Sequence, residues 1–267
     1  MTRGSRTGPL TWVAVLLGLC LGTPVAVLVV RSFVDGSLGA ALGTRVVLDA
    51  LTLSLITTAV ALVATIVLGL PIAFVLARRR VRGAFLLETV VDLPIVLPPS
   101  VAGLALLLLL GRRGVLGPPL GALGIEIPFT TAAVIVAQVF VSAPFFIRSA
   151  RAGIAAVSRD LEDAARVDGG SEPDVLRRIT LPLAGPALAA GLVMSWARAL
   201  GEFGATIMFA GNLESRTQTL PLVVYGQFQS GDVDGSVAAA AILVLAAFGV
   251  LIAVRALRWG RTLDIEG

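Results

Sequence analysis

Residues 158–182 read SRDLEDAARVDGGSEPDVLRRITLP. They form the longest polar interval in a chain made mostly of continuous apolar runs. Ser158 is placed to cap a helix N-terminus, and Asp160, Glu162 and Asp163 complement the dipole of its first turn. Gly169-Gly170 ends that helix, because glycine tolerates the left-handed conformation a helix stop requires. Ser171 then offers a second cap, with Pro173 in the first turn and Asp174 three residues after the serine. The expectation is two short helices joined by a glycine elbow, a rigid knob facing water between two membrane spans. An ordinary solvated loop between spans fits the same residues.

The 267 residues are 57% hydrophobic and 14% charged. The apolar residues are grouped in runs long enough to cross a bilayer, so the chain reads as an all-α polytopic membrane protein. Cys20 is the only cysteine, which excludes an internal disulfide and a multi-cysteine metal site. Leu19 is too bulky for the position before a lipidated cysteine. Histidine is absent, and with it imidazole catalysis and imidazole metal ligation. Every basic residue is arginine. A phosphate-binding loop of the form G-x-x-x-x-G-K-[ST] requires a lysine, so any nucleotide that drives this chain must be bound by another polypeptide. No catalytic constellation is visible, and the reading is a non-enzyme without cofactor or metal of its own.

Six spans are expected. The run Leu10–Val30 is too long for a signal-peptide core and lacks a convincing cleavage site, so it reads as span one, kinked near Pro24. A short polar connection at 31–49 follows. Span two lies within Ala50–Ala77, span three is roughly Leu93–Leu110, and span four falls within Ile127–Ile147. Span five runs from about Leu183 to Ala210, and span six is roughly Gly235–Val254. The division is thus 1–49 for the tail, first span and external connection, 50–257 for a five-span core containing the 158–182 loop, and 258–267 for a short tail. Six spans place both termini on one side. With the termini inside, fifteen arginines fall on inner segments and five (Arg31, Arg45, Arg112, Arg113, Arg216) on outer ones. That bias puts the termini and the 158–182 loop in the cytoplasm. Inner-leaflet anchoring accounts for the basic charge, and nucleic acid is not an expected partner.

Two segments carry more than a span. Leu93-Pro94-Ile95-Val96-Leu97-Pro98-Pro99 opens span three with three prolines in six residues, which a regular helix does not accommodate. It is either a bent start to a span or irregular backbone lining an aqueous path. In span five, Ala197, Gly201 and Ala205 recur every four residues and suggest a groove for a neighbouring helix. Arg198 and Glu202, also four apart, are placed to pair. The pair is either a structural salt bridge between packed helices or part of a face bordering the path.

Asp163-Ala164-Ala165, then Gly169 after three residues, then Ile179-Thr180-Leu181-Pro182 after nine more, resembles the EAA loop of ABC-transporter permeases. Asp163 stands where that family has Glu, and Asp168-Gly169-Gly170 where Leu-Gly-Ala is usual. The stretch ARALGEFGATIMFAGNLESRTQTLPL at Ala197–Leu222, followed by Tyr225, is similar to the signature of molybdate-type permeases. So are the segment Leu93–Pro99 and Gly111-Arg112-Arg113-Gly114. Sulfate and thiosulfate permeases share the L-G-E-F-G core.

Over roughly residues 50–255 the resemblance implies the type I ABC importer permease fold. It also implies a homodimer embedded in membrane lipid, two cytosolic ATPase subunits holding ATP and Mg, and an extracytoplasmic binding protein delivering an oxyanion. Molybdate is the expected ion, with tungstate and sulfate or thiosulfate as alternatives; an ATP-independent anion channel is the alternative of another class. Ser158, Glu162, Asp163, Ala164, Ala165, Gly169, Ile179, Leu181 and Pro182 are the expected coupling residues. Pro94, Pro98, Pro99, Arg198, Gly201, Glu202 and Gly204 are expected beside the path or gate, and Asn212, Arg216 and Thr219 against the binding protein.

Overall fold

The computed structural model describes residues 8–78 and 83–263. Expectations placed on Arg3, Arg6, Arg79, Arg80 and Arg82, on the side chains of Arg255, Arg258 and Arg261, and on tail residues 264–267 lie outside the described residues. Every regular element of the described chain is a helix, in the order α1 (Gly8–Val34), α2 (Ser37–Leu42), α3 (Arg45–Arg78), α4 (Ala84–Val96), α5 (Pro99–Leu110), α6 (Gly117–Ala122) and α7 (Thr131–Ala156), followed by α8 (Arg159–Val167), α9 (Glu172–Val175), a π-helical turn (Leu176–Thr180), α10 (Leu181–Leu200), α11 (Gly204–Phe209), α12 (Leu220–Gln229) and α13 (Val233–Leu263).

Among the described residues, five continuous helical stretches are long and apolar enough to cross a membrane: Thr11–Val34, Arg45–Arg78, Thr131–Ala156, Glu172–Leu200 and Val233–Ile252. The sixth candidate is the pair α4 and α5, bent by 118°. The expectation of a simple span over Leu93–Leu110 is therefore corrected. Pro94 lies inside α4, and α5 alone has 12 residues. At 1.5 Å per residue that is about 18 Å, well short of a bilayer core of about 30 Å. The elbow follows from the prolines. Leu97 and Pro98 each precede a proline, which disfavours helical backbone, and both are extended, with ψ of 133° and 135°. Pro99 occupies the first turn of α5, where a missing amide donor costs nothing.

The chain divides into two compact units, Met1–Asp49 with Val223–Gly267, and Ala50–Leu222. In the first, α1 packs on α13 and on α2. Arg31 at the end of α1 bonds Asp35 at 3.3 Å and Asp234 at 3.1 Å.

The second unit is built on α7 and α10, its most extensive helix pair. Lipid is as apolar as leucine, so helices associate there by close packing and interhelical hydrogen bonds. Two close glycine approaches and two hydrogen bonds supply both. A Cβ on Gly153 would meet Ala187 Cβ at 2.5 Å, and one on Gly191 would meet Ser149 Cβ at 2.7 Å. Ser149 Oγ donates to the Ala187 carbonyl (2.7 Å), and Ser195 Oγ donates to that of Ser142 (3.0 Å). The stripe that packs is thus Ala187, Gly191 and Ser195. The expected Ala197–Gly201–Ala205 stripe does not form, because α10 stops at Leu200. Gly201 caps it and Ala205 belongs to a different helix.

Around this pair, Ala73 of α3 joins Phe146, Ile147, Ala150, Ile154, Val157 and Ala184 in one apolar cluster. A second cluster holds Ala102 and Leu106 of α5, Ala133, Val134, Ala137 and Val141 of α7, and Ala205, Phe209 and Ala210. α5 and α11 meet backbone to backbone. A Cβ on Gly103 would lie 2.6 Å from the Ala205 carbonyl oxygen, and one on Gly204 2.6 Å from Pro99 Cβ.

Gly103→Val is expected to destabilise the protein in detergent by about 1–3 kcal/mol through overpacking against fixed backbone. Gly185→Ala, where a Cβ meets nothing within 4 Å, is the control and is expected to leave the thermal midpoint unchanged or raised.

Candidate functional site

Two regions gather the residues that carry chemistry, one at each end of the α7–α10 pair. At the first, α7 gives way to α8 at Val157 and Ser158, both in extended backbone. Ser158 Oγ accepts the Asp160 amide at 3.2 Å, as its residue type demands. α8 stops at Gly169, whose φ of 91° is left-handed. The Gly170 amide there donates to the Ala165 carbonyl at 2.9 Å. Ser171 and Asp174 then form a reciprocal capping box at the start of α9.

The second short helix expected after the glycines is not separate. From Glu172 the chain runs through α9 and the π turn directly into α10, so Ile179, Leu181 and Pro182 belong to one helical run that ends at Leu200. The knob is one helix, α8, folded against the foot of a span.

Glu162 differs from its neighbours. Asp160 and Asp163 are exposed, whereas Glu162 is 4% exposed. Its Oε1 accepts from Arg78 Nη2 at 2.9 Å and from Thr180 Oγ1 at 2.6 Å. Arg78 Nη2 also donates to the Val157 carbonyl at 2.9 Å, and Arg159 Nη2 donates to the Arg78 carbonyl at 3.3 Å. Sequence reading placed Glu162 in this region but missed Arg78 and Thr180. Arg78 stood in an arginine run that looked like leaflet anchoring, and Thr180 was the variable position between Ile179 and Leu181. Asp163, at the motif's acidic position, turns outward and pairs with Arg166 at 2.6 Å, and Arg166 bonds Glu172 at 2.7 Å. Glu172 first, then Asp163, holds the Arg166 guanidinium further above its already high ordinary pKa, so it stays cationic. Ala164 is exposed and Ala165 half-buried. A cleft of about 240 Å³ opens beside these charges, and one of about 390 Å³ lies around Gly169 and Gly170.

At the other end of α10, Gly201–Phe203 turn the chain into α11. Arg198 Nη1 lies 2.6 Å from Glu202 Oε2, and Glu202 is 1% exposed. Its second oxygen accepts the Ala205 amide at 2.7 Å and so caps α11. The expected pairing holds, although Glu202 lies beyond the helix that carries Arg198. Because Gly204 sits on Pro99 and Ser100, the structure brings Pro98, Pro99, Glu202 and Gly204 to one place. Pro94 lies on the other side of the elbow in α4, which α7 holds through Arg148–Asp92 (3.2 Å) and Arg151–Glu88 (3.0 Å).

Beyond α11, Asn212 and Arg216 are exposed. Thr219 is 1% exposed and so is absent from that surface. Arg216 lines a cleft of about 670 Å³ with Phe129 and the Arg112–Glu126 ion pair.

Apolar spans around a proline elbow, with one buried charge cluster at each end of the central helix pair, define a multi-pass membrane protein. The chain belongs to the family described as the inner membrane component of binding-protein-dependent transport systems, which matches residues 65–258. Over 207 residues it is 44% identical to the molybdenum transport system permease protein ModB of Mycobacterium tuberculosis, covering 78% of each chain. It is 34% identical over 197 residues to the sulfate transport system permease protein CysT of Salmonella typhimurium, covering 73% of this chain and 71% of that one.

Among solved structures, a bacterial ABC transporter importing the polysaccharide alginate superposes with a TM-score of 0.68 at 16% identity, covering 94% of this chain and 96% of that one. The methionine transporter MetNI in an inward-facing conformation gives 0.61 at 18% identity, covering 79% and 94%. These two establish the fold, that of type I ABC importer permeases. The protein is a multi-pass inner-membrane transport subunit.

Replacing Arg198 by Met leaves a buried carboxylate unpaired. It is expected to cost about 3 kcal/mol of stability, and adding Glu202→Gln, which keeps the bond to Ala205, should recover most of that. Thermal melting of the purified protein in detergent reads both.

Proposed function

We propose that this chain is the membrane-spanning subunit of an ATP-driven importer for molybdate. It works as a homodimer with two cytosolic ATPase subunits and an extracytoplasmic binding protein, and both its termini are cytoplasmic. The observation that carries the reading is the 44% identity to a molybdenum permease, spread over most of both chains. The arginine bias supports the orientation.

In this reading the exposed surface of α8 around Asp163 and Ala164, together with Gly169, docks on an ATPase subunit. ATP-driven closure of the ATPases displaces α8, and the bundle passes between inward-open and outward-open arrangements. Pro98, Pro99, Glu202 and Gly204 border the path, where a helix elbow and a six-residue helix allow rearrangement at little cost in regular hydrogen bonding. Arg198 contributes little net attraction to an anion while Glu202 neutralises it. Asn212 and Arg216 face the binding protein. ATP and Mg belong to the ATPase subunits, and this chain makes and breaks no covalent bond.

Sulfate is the second reading, favoured by the 34% identity to a sulfate permease. Proteoliposomes holding this chain, its ATPase and its binding protein separate the two when loaded with ATP and offered labelled molybdate beside excess sulfate. Molybdate uptake that resists sulfate and disappears with Gly169→Asp is the expected result. Effective competition by sulfate replaces the substrate, and flux without ATP replaces the importer by a channel.

A further inference from the structure

α8 is attached to the membrane helices by two weak joints. At its start the chain passes through extended residues Val157 and Ser158, and at its end through left-handed Gly169. A helix held only there would swivel when pushed. Its surface charges do not prevent this: Asp163–Arg166 and Arg166–Glu172 are solvent-exposed pairs, and such pairs are worth little.

The Glu162 carboxylate is different in kind. Among the described residues, Arg78–Glu162 is the ion pair in which both side chains are under a tenth exposed (9% and 6%). A buried carboxylate that leaves its partners loses far more than a surface one, so this contact resists displacement in every direction. Through Arg78 it reaches the last turn of α3 and the end of α7, and through Thr180 it reaches the foot of α10. The π turn Leu176–Thr180 is what presents the Thr180 hydroxyl, and π turns concentrate at functional sites.

We propose that Arg78, Glu162 and Thr180 are positioning residues for energy coupling. They clamp α8 to α3 and α10 so that a push on α8 moves the spans instead of bending the joints at Val157 and Gly169. The clamp rests on the importer reading above and adds to it the residues that transmit the stroke.

The test uses the whole complex in proteoliposomes, with Thr180→Val, which keeps the shape and removes the donor, and Thr180→Ser, which keeps the donor. Three quantities are read: ATPase subunit co-purified with the chain, ATP hydrolysed, and oxyanion transported per ATP, with molybdate and with sulfate. For Thr180→Val, co-purification and hydrolysis are expected to stay near wild type. Transport per ATP falls about tenfold, the population change that losing one hydrogen bond to a charged group brings. Thr180→Ser retains the wild-type ratio. A wild-type ratio in Thr180→Val overturns the proposal, and so does a proportional fall of all three quantities.

If the wild-type complex carries neither ion, the substrate reading fails, and the clamp is then judged without transport. Spin labels on exposed Val67 of α3 and Val167 of α8, introduced as Val67→Cys and Val167→Cys with Cys20→Ser, report their separation when hydrolysis in the presence of vanadate traps ADP and vanadate on the ATPase subunits. An unchanged separation in the Thr180 background and a shifted one in Thr180→Val is the expected pair of results. Equal shifts in both overturn the clamp.

Discussion

The close approach of α7 and α10 is the constraint on which the rest of the Ala50–Leu222 unit depends. In lipid no hydrophobic force pulls two apolar helices together, so contact must come from surfaces that fit and from hydrogen bonds that cross the interface. Gly153, Ser149 and Ser142 on one helix meet Ala187, Gly191 and Ser195 on the other, and two serine hydroxyls reach the facing backbone. Both regions of charge are set by this pairing. The chain leaves α7 and re-enters α10 at one end, which fixes the base on which α8 lies. At the opposite end α10 stops at Leu200 and delivers Glu202 to the α5–α11 contact.

The two ends use buried charge in related ways. Glu162 gathers an arginine and a hydroxyl from distant parts of the chain, at sequence separations of 84 and 18. Glu202 gathers an arginine and a backbone amide from its own neighbourhood. The first ties elements together over long separations, and the second shapes a local turn. In the transport cycle proposed above, the first is the rigid contact where force is received and the second the short, re-formable segment where the path opens and closes.

Much of this was legible in the residues. The long charge-free runs announced α1, α3, α7 and α13, because nothing but a bilayer-spanning helix uses such composition at such length. Ser158, Gly169 and the Ser171–Asp174 box were legible because capping is local chemistry that needs only near neighbours. The failures were of tertiary origin. Which of Asp160, Glu162 and Asp163 is buried depends on where α3 ends in space, and no spacing within 158–182 records that. Two groups of small residues in span five were equally spaced candidates for packing, and the choice turned on the break after Leu200. That break is set by Glu202 capping α11 and by Gly204 resting on Pro99. The prolines at 98 and 99 signalled irregularity, but the 118° angle between their flanking helices comes from two consecutive extended residues acting together. Thr219 looked like part of a surface loop because the residues before it, Arg216, Thr217 and Gln218, are polar.

The π turn at Leu176–Thr180 sets a phase. An α-helix advances about 100° per residue, and a π turn accommodates roughly one residue more than the helix it interrupts. Everything before it is therefore rotated relative to everything after it, within one unbroken rod from Glu172 to Leu200. The capping box and the contacts of Glu172 to Arg166 are timed to one side of that offset, and the seam of Ala187, Gly191 and Ser195 to the other. The membrane seam and the water-facing foot thus follow separate angular registers on a single helix, and the length of this segment is constrained more tightly than its composition.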